Sequence, residues 1–117
     1  MKTAVIGSRS LIIENLDKFI PAGTTEIVSG GAKGIDGCAK EYAKNAGLKY
    51  TEFLPEYSRH SKRAPIERNK LIVDYSDTVV AFWDGSSRGT RFVIKYAEKT
   101  GKPIYIYPAE QALSLNT

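Results

Sequence analysis

VSGGAKGIDGCAKEYAK, residues Val28–Lys44, starts as the end of a β-branched run, breaks into glycines and continues as an amphipathic helix. The run Thr24–Ser29 reads as a strand. After the glycines, Ile35, Ala39, Tyr42, Ala43 and Ala46 recur on one helical face that stops at Gly47. Lys49–Leu54 reads as the next strand. A strand, a short turn, a helix and another strand form the repeating unit of an α/β fold, joined by right-handed crossovers into a parallel sheet.

Upstream, Thr3–Ile6 is an apolar run closed by Gly7-Ser8, a strand feeding a helix. Leu11, Ile12, Leu16, Phe19 and Ile20 follow at helical spacing, with Ser8 or Ser10 as N-cap and Pro21 as stop. Downstream, Pro55–Ala64 (PEYSRHSKRA) is polar, basic and aperiodic, a surface loop. Pro65 opens a helix with Ile66, Ile72 and Val73 inward, running to about Tyr75. Asp77–Trp83 (DTVVAFW) is apolar almost throughout, as a strand covered on both faces must be. The loop DGSSRGT leads to a helix with Phe92, Val93, Tyr96 and Ala97 inward, ended by Thr100-Gly101. Lys102–Tyr107 is a fifth strand, and the last residues, PAEQALSLNT, are a tail or short helix.

The expected architecture is an α/β three-layer Rossmann-like sandwich with a five-stranded parallel sheet in the order 3-2-1-4-5. The 117 residues suit a single domain spanning 1–117. Hydrophobic residues at 42% and charged residues at 26% exclude disorder and fibrous repeats. A net charge of +4 is compatible with an anionic ligand but modest for a dedicated nucleic-acid binder. No run is long enough to span a membrane and MKTAVIGSRS is no signal peptide, so a cytoplasmic location without membrane partners is expected. The lone Cys38 reads as a buried thiol.

In such a sheet, ligands settle outside the carboxyl ends of the strands where the winding reverses, between strands 1 and 4. Gly7-Ser8-Arg9, Ser29-Gly30-Gly31 and Asp84–Thr90 should share that rim. Gly30 and Gly31 let the chain approach a phosphate, and the helix starting near Lys33 offers free amides to it. Equally, a strand-to-helix corner welcomes glycine without any ligand. The turn is neither a Walker A loop, since Lys33 precedes Gly34, nor a G-x-G-x-x-G fingerprint. The second loop offers Asp84, Ser86, Ser87, Arg88, Gly89 and Thr90 ahead of another helix, with Thr90 alternatively an N-cap.

Asp36 either meets its own helix dipole or touches a ribose hydroxyl or a neighbouring loop. Arg68, beside Asn69 in a first helical turn, is electrostatically misplaced and needs Glu67 or an anion to compensate it. The basic stretch Arg59–Arg63 either closes over a phosphate or lies solvated. His60 is the only histidine, no carboxylate pair has metal-binding spacing, and no nucleophile elbow occurs, so no metal or separate cofactor is expected.

VSGGAKGID resembles the second-strand motif of the SLOG superfamily, Rossmann-like domains related to the SMF/DprA DNA-processing proteins and the LOG phosphoribohydrolases. ERNKLIVDYSDTVVAFWDGSSRGT, residues Glu67–Thr90, is similar to its second half, and with GKPIYIYP the likeness spans nearly the whole chain. The resemblance implies a site for nucleotide-derived ligands, with Gly30, Gly31, Gly34 and Asp36 from one loop and Arg68, Gly89 and Thr90 from the other. The LOG motif Pro-Gly-Gly-x-Gly-Thr-x-x-Glu is altered here: Gly85-Ser86-Ser87 stand at its Pro-Gly-Gly and Val93 at its Glu. That change leaves enzymatic N-glycosidic hydrolysis of a nucleotide as an alternative to simple binding.

SGGAKGID and RNKLIVDYSD are also similar to the motifs of the DNA-processing relatives, which bind single strands. Tyr57 with Arg59, Lys62 and Arg63 is the one aromatic-basic cluster suited to such binding. The expected ligand is a nucleotide or nucleotide-derived small molecule, with single-stranded nucleic acid as the alternative partner. Self-association into a homo-oligomer is expected from the relatives and the Tyr-rich surface.

Overall fold

A computed structural model describes residues 1–108, 110 and 113–114 of the chain. Most of the predicted C-terminal tail or short helix lies outside the described residues. The elements are β1 (Lys2–Gly7), β2 (Leu11–Ile12), β3 (Glu26–Ser29), α1 (Ile35–Ala46), β4 (Lys49–Glu52), α2 (Tyr57–His60), α3 (Ala64–Tyr75), β5 (Thr78–Trp83), α4 (Arg88–Lys99), β6 (Ile104–Pro108) and β7 (Leu113–Ser114).

Five strands form one sheet in the order β4-β3-β1-β5-β6, every pair parallel. Counted within that sheet alone, this is the expected 3-2-1-4-5. Alternation along each strand splits the core in two. Ala4, Ile6, Val79 and Ala81 point toward Ile72 and Val73 of α3 and Val93, Ile94 and Ala97 of α4. Val5, Ile27, Val80 and Phe82 point the other way, onto Ile35, Ala39 and Ala43 of α1. Burial on both faces explains the unbroken apolar reading of β5.

The predicted helix between Ser10 and Pro21 is absent. Leu11–Ile12 instead pairs antiparallel with Leu113–Ser114, and only a 3-10 turn, Leu16–Lys18, follows. Three consecutive apolar residues, two of them β-branched, favour extended chain, and a helix confined between Ser10 and Pro21 has too few turns to repay its nucleation. The apolar residues still face inward: Leu11, Ile13 and Leu16 are buried, and Phe19 packs edge-on to Phe82 with centroids 5.3 Å apart. Cys38 is half-buried rather than buried, its Sγ accepting the Ile13 N–H at 3.4 Å.

The predicted loop at Pro55–Ala64 is also partly helical, with α2 followed by a 3-10 turn, Ser61–Arg63. Helix-compatible charged residues and the spacing of Glu56 with Arg59 (3.9 Å) and Arg63 with Glu67 (3.6 Å) suit that conformation. Ile66, expected inward, is exposed.

At the amino ends of the strands Glu26, 7% exposed, accepts hydrogen bonds from Tyr75 Oη (2.6 Å) and Thr51 Oγ1 (2.7 Å), with Lys49 at 3.8 Å. Burial pushes its pKa up, but the two hydroxyls and the nearby lysines outweigh that and hold it below the ordinary 4.5. A carboxylate with a lowered folded pKa stabilises the fold above its unfolded value and loses that contribution as pH falls through the folded one. Tyr75→Phe is therefore expected to lower stability by about 1.5–3 kcal/mol at neutral pH, the loss shrinking below pH 4.5. Urea midpoints against pH check this.

Candidate functional site

β1 and β5 are the adjacent central strands, in register at Gly7 and Phe82. Their carboxyl ends open into a cleft of about 480 Å³. Ile6, Ile72 and Val93, read from sequence as core, contribute to its apolar lining, and Ser10, Ala32 and Pro65, not foreseen, join its wall. These last three lack a signal of their own in sequence, since only the folded loops bring them to the rim.

From the loop after β1, Gly7, Ser8 and Arg9 all line the cleft. The buried Ser8 accepts the Asp84 N–H on its Oγ (3.2 Å) and donates its own N–H to Phe82 O (3.1 Å), stitching the two central loops together. Gly7 is there for packing: a Cβ would stand 2.5 Å from Ile35 Cγ1 and 2.7 Å from Phe82 O.

The loop after β3 divides. Gly30 lines the cleft, whereas Ser29, Gly31 and Gly34 do not. Gly31 turns toward Glu52 and Leu54. Gly34, the N-cap of α1, presses against the backbone of Arg9 and Leu11. Ser29 is buried, and its Oγ has no hydrogen-bond partner within 3.5 Å among the described residues.

Arg68 and Asp36 flank Gly30, where an added Cβ would lie 2.6 Å from Arg68 Nη1 and 3.1 Å from Asp36 Oδ2. Arg68, 8% exposed, donates from Nη1 to Gly30 O (2.7 Å) and from Nε to Asn69 Oδ1 (2.8 Å). The Gly30 carbonyl meets its charge directly, and Asp36 compensates it through space, without an ion pair within 4 Å. Glu67 is engaged by Arg63 and Lys70, each at 3.6 Å. Asp36, 7% exposed, accepts the Ala32 N–H at 3.1 Å. Burial pushes its pKa above the usual carboxylate range, partly offset by that amide and by the Arg68 charge.

The loop after β5 contributes Asp84, Ser87, Gly89 and Thr90, while Ser86 does not line the cleft. Asp84 Oδ1 accepts the N–H groups of Ser86 (2.9 Å) and Ser87 (2.8 Å), which hold its pKa below the ordinary range. Ser87 is the N-cap of α4 without capping it through its side chain, and its hydroxyl donates to Thr90 Oγ1 at 3.2 Å. Trp83 Nε1 donates to Ser87 O at 3.0 Å, with the Arg91 guanidinium 5.7 Å from the ring centre.

Three helix N-termini border the cleft, and they differ; the first turn of α3, which brings Pro65 and Arg68 to the wall, carries Glu67. The first turn of α1 carries the Asp36 carboxyl, which already faces the amide of Ala32. The first turn of α4 carries no acidic side chain and no side-chain cap bond. Free amides and a positive dipole end attract an anion there.

Residues 3–60 match the model of the YspA, cpYpsA-related SLOG family. The chain belongs to the SLOG superfamily. SLOG membership points, at the coarse level, to nucleotide-related binding or processing. The matched segment holds the loops after β1 and β3, including Gly30 and Asp36; Arg68, Asn69 and Asp84–Thr90 lie beyond it.

Among similar proteins, the "Uncharacterized SPbeta prophage-derived protein YoqJ" of Bacillus subtilis (strain 168) is 39% identical over 57 residues, 49% of this chain and 29% of YoqJ. The "Gene 61 protein" of Mycobacterium phage D29 is 33% identical over 84 residues, 67% of each chain. The aligned region is thus less than a third of YoqJ and about two thirds of the phage protein. No solved structure matches. Among the described residues, no helix is long and apolar enough to cross a membrane, and no group of three or more His, Cys, Asp or Glu is placed to hold a metal.

Proposed function

We propose that the cleft binds a nucleotide or nucleotide-derived small molecule, with the phosphate on the N-terminus of α4 and the sugar toward Asp36 and Asn69. The observation that carries this reading is the contrast among the three helix starts. A phosphate at α1 meets the Asp36 carboxyl and one at α3 the Glu67 carboxyl; one at α4 meets free amides beside Ser87, Gly89 and Thr90, with Arg9 on the same cleft and the nearby Asp84 carboxylate already engaged by the Ser86 and Ser87 amides. The phosphate position assigned from sequence, at Gly30 and Gly31, thereby moves across the cleft. Gly31 faces elsewhere, and the space beside Gly30 is taken by Arg68.

Thermal shift with a panel of nucleotides tests this, since a ligand bound only to the folded state raises its melting temperature by mass action. Gly89→Asp is the informative variant. The position is exposed, an added Cβ meets only Asn69 Nδ2 at 4.0 Å, and a carboxylate suits a helix start, so the fold is kept. Its charge occupies the phosphate position, and the nucleotide shift is expected to vanish. A shift equal to that of the parent protein rejects the site.

Hydrolysis is a second reading, favoured by the buried Asp36, whose raised pKa suits proton transfer inside a cleft. Appearance of free base from the nucleotide that gives the largest shift, and its loss in Asp36→Asn, separates a hydrolase from a binding protein. The exposed Tyr57 beside Arg59, Lys62 and Arg63 is the remaining argument for single-stranded nucleic acid, whose binding must fall steeply with salt.

A further inference from the structure

The two edges of the main sheet differ in a way the ligand site does not explain. The β4 edge, Lys-Tyr-Thr-Glu, exposes Lys49 and Glu52, charges of the kind that discourage strand pairing. The β6 edge, Ile-Tyr-Ile-Tyr-Pro, carries no charge and exposes Tyr105 (50%) and Ile106 (45%), one on each face of the sheet. Among the described residues, β6 pairs only with β5.

Hydrogen-bond direction fixes what that edge offers. Pro103 O accepts the Val79 N–H at 2.9 Å, so Pro103, Tyr105 and Tyr107 direct their polar backbone groups at β5. Ile104 and Ile106 direct theirs outward. We propose that β6 is the interface of a two-fold dimer of this chain, in which β6 pairs antiparallel with β6 of a second copy to make one continuous sheet. Ile104 of each copy faces Ile106 of the other, each pair exchanging both N–H···O bonds, and Tyr105 meets its counterpart on the axis.

The sequence selects that register. A slip of two residues one way sets Pro108, which has no N–H, against Ile104. A slip the other way requires the Lys102 N–H, which already donates to Ala97 O at 2.9 Å. Only the register centred on Tyr105 pairs both the N–H and the C=O of Ile104 and of Ile106. The two-fold closes on itself and the charged β4 edge remains outside, so assembly stops at two. The short ladder places the interface at the low end of the size range, below about 1,200 Å², so dimers should form at micromolar concentrations rather than lower ones.

Light scattering across a concentration series is expected to show the mass rising from 12.9 kDa to twice that value. Ile106→Pro removes an outward amide and leaves the β5 ladder intact, as proline on a sheet edge allows, so the variant should stay folded and monomeric. In a Cys38→Ser background, Tyr105→Cys should cross-link copies under mild oxidation, because residues facing each other across a non-hydrogen-bonded antiparallel pair lie about 4.5 Å apart at Cα. Ile106→Cys, which faces Ile104, should not. A protein that stays monomeric at about 100 µM, a dimer that survives Ile106→Pro, or equal cross-linking of both cysteine variants overturns the proposal.

Discussion

Gly34→Ala is expected to lower stability by about 2–6 kcal/mol, combining a backbone conformation that L-residues avoid with an overpacked contact. At φ 73° and ψ −123°, Gly34 sits where side chains are strained, and its Cβ would lie 2.6 Å from the carbonyl oxygens of both Arg9 and Leu11. Both neighbours are backbone, so neither can swing aside. Gly23→Ala separates the two contributions, since Gly23 also has a positive φ, 87°, but open space around it. Urea denaturation should show Gly34→Ala much the worse of the two. Equal losses would mean that close packing against the β1 loop contributes nothing. The change also separates roles within the family motif, because Gly34 shapes the cleft from behind and does not line it.

Arg68→Ala is expected to lower stability by about 3–5 kcal/mol at neutral pH, because it strands Asp36 as a buried carboxylate and leaves the Gly30 carbonyl without its donor. The pH dependence identifies the cause. A carboxyl whose folded pKa is raised favours the folded state below its unfolded value and loses that advantage as pH rises through the folded one. Removing Arg68 raises the Asp36 pKa further, so the deficit should be largest at neutral pH and shrink as pH falls toward 3.8. Adding Asp36→Asn to Arg68→Ala should restore part of the loss. If the double variant is no more stable than Arg68→Ala, the charge of Asp36 is not the reason. It follows that loss of nucleotide binding in Arg68→Ala alone says little about the ligand site, whereas Gly89→Asp leaves this buried pair untouched.

The sheet was legible in the sequence because four of its five strands are short apolar or β-branched runs bounded by glycine, proline or a polar turn, and β4, Lys-Tyr-Thr-Glu, follows closely on the glycine that ends α1. Strand order followed from parallel pairing. The segment after Ser10 was misleading, since Leu11, Leu16, Phe19 and Ile20 must face the core whatever backbone carries them. Its pairing partner, Leu113–Ser114, lies at the far end of the chain, where no local pattern announces it. The loops of the cleft were legible from topology, but not which glycine serves what. Gly7, Gly31 and Gly34 relieve contacts with Ile35, Glu52 and the Arg9 backbone, and such contacts are visible only when the layers are assembled. Arg68 stood out as a cation at a helix start, and its partner could not be found by spacing because Asp36 lies on another helix.

The indole bonded to the N-cap residue of α4 gives the molecule its own optical probe. Trp83 is the single tryptophan of the chain, and the carbonyl it contacts belongs to the turn on which the phosphate is proposed to sit. Any guest that draws that turn inward changes the polarity around the fluorophore, so emission intensity and wavelength can follow occupancy in real time, without a label.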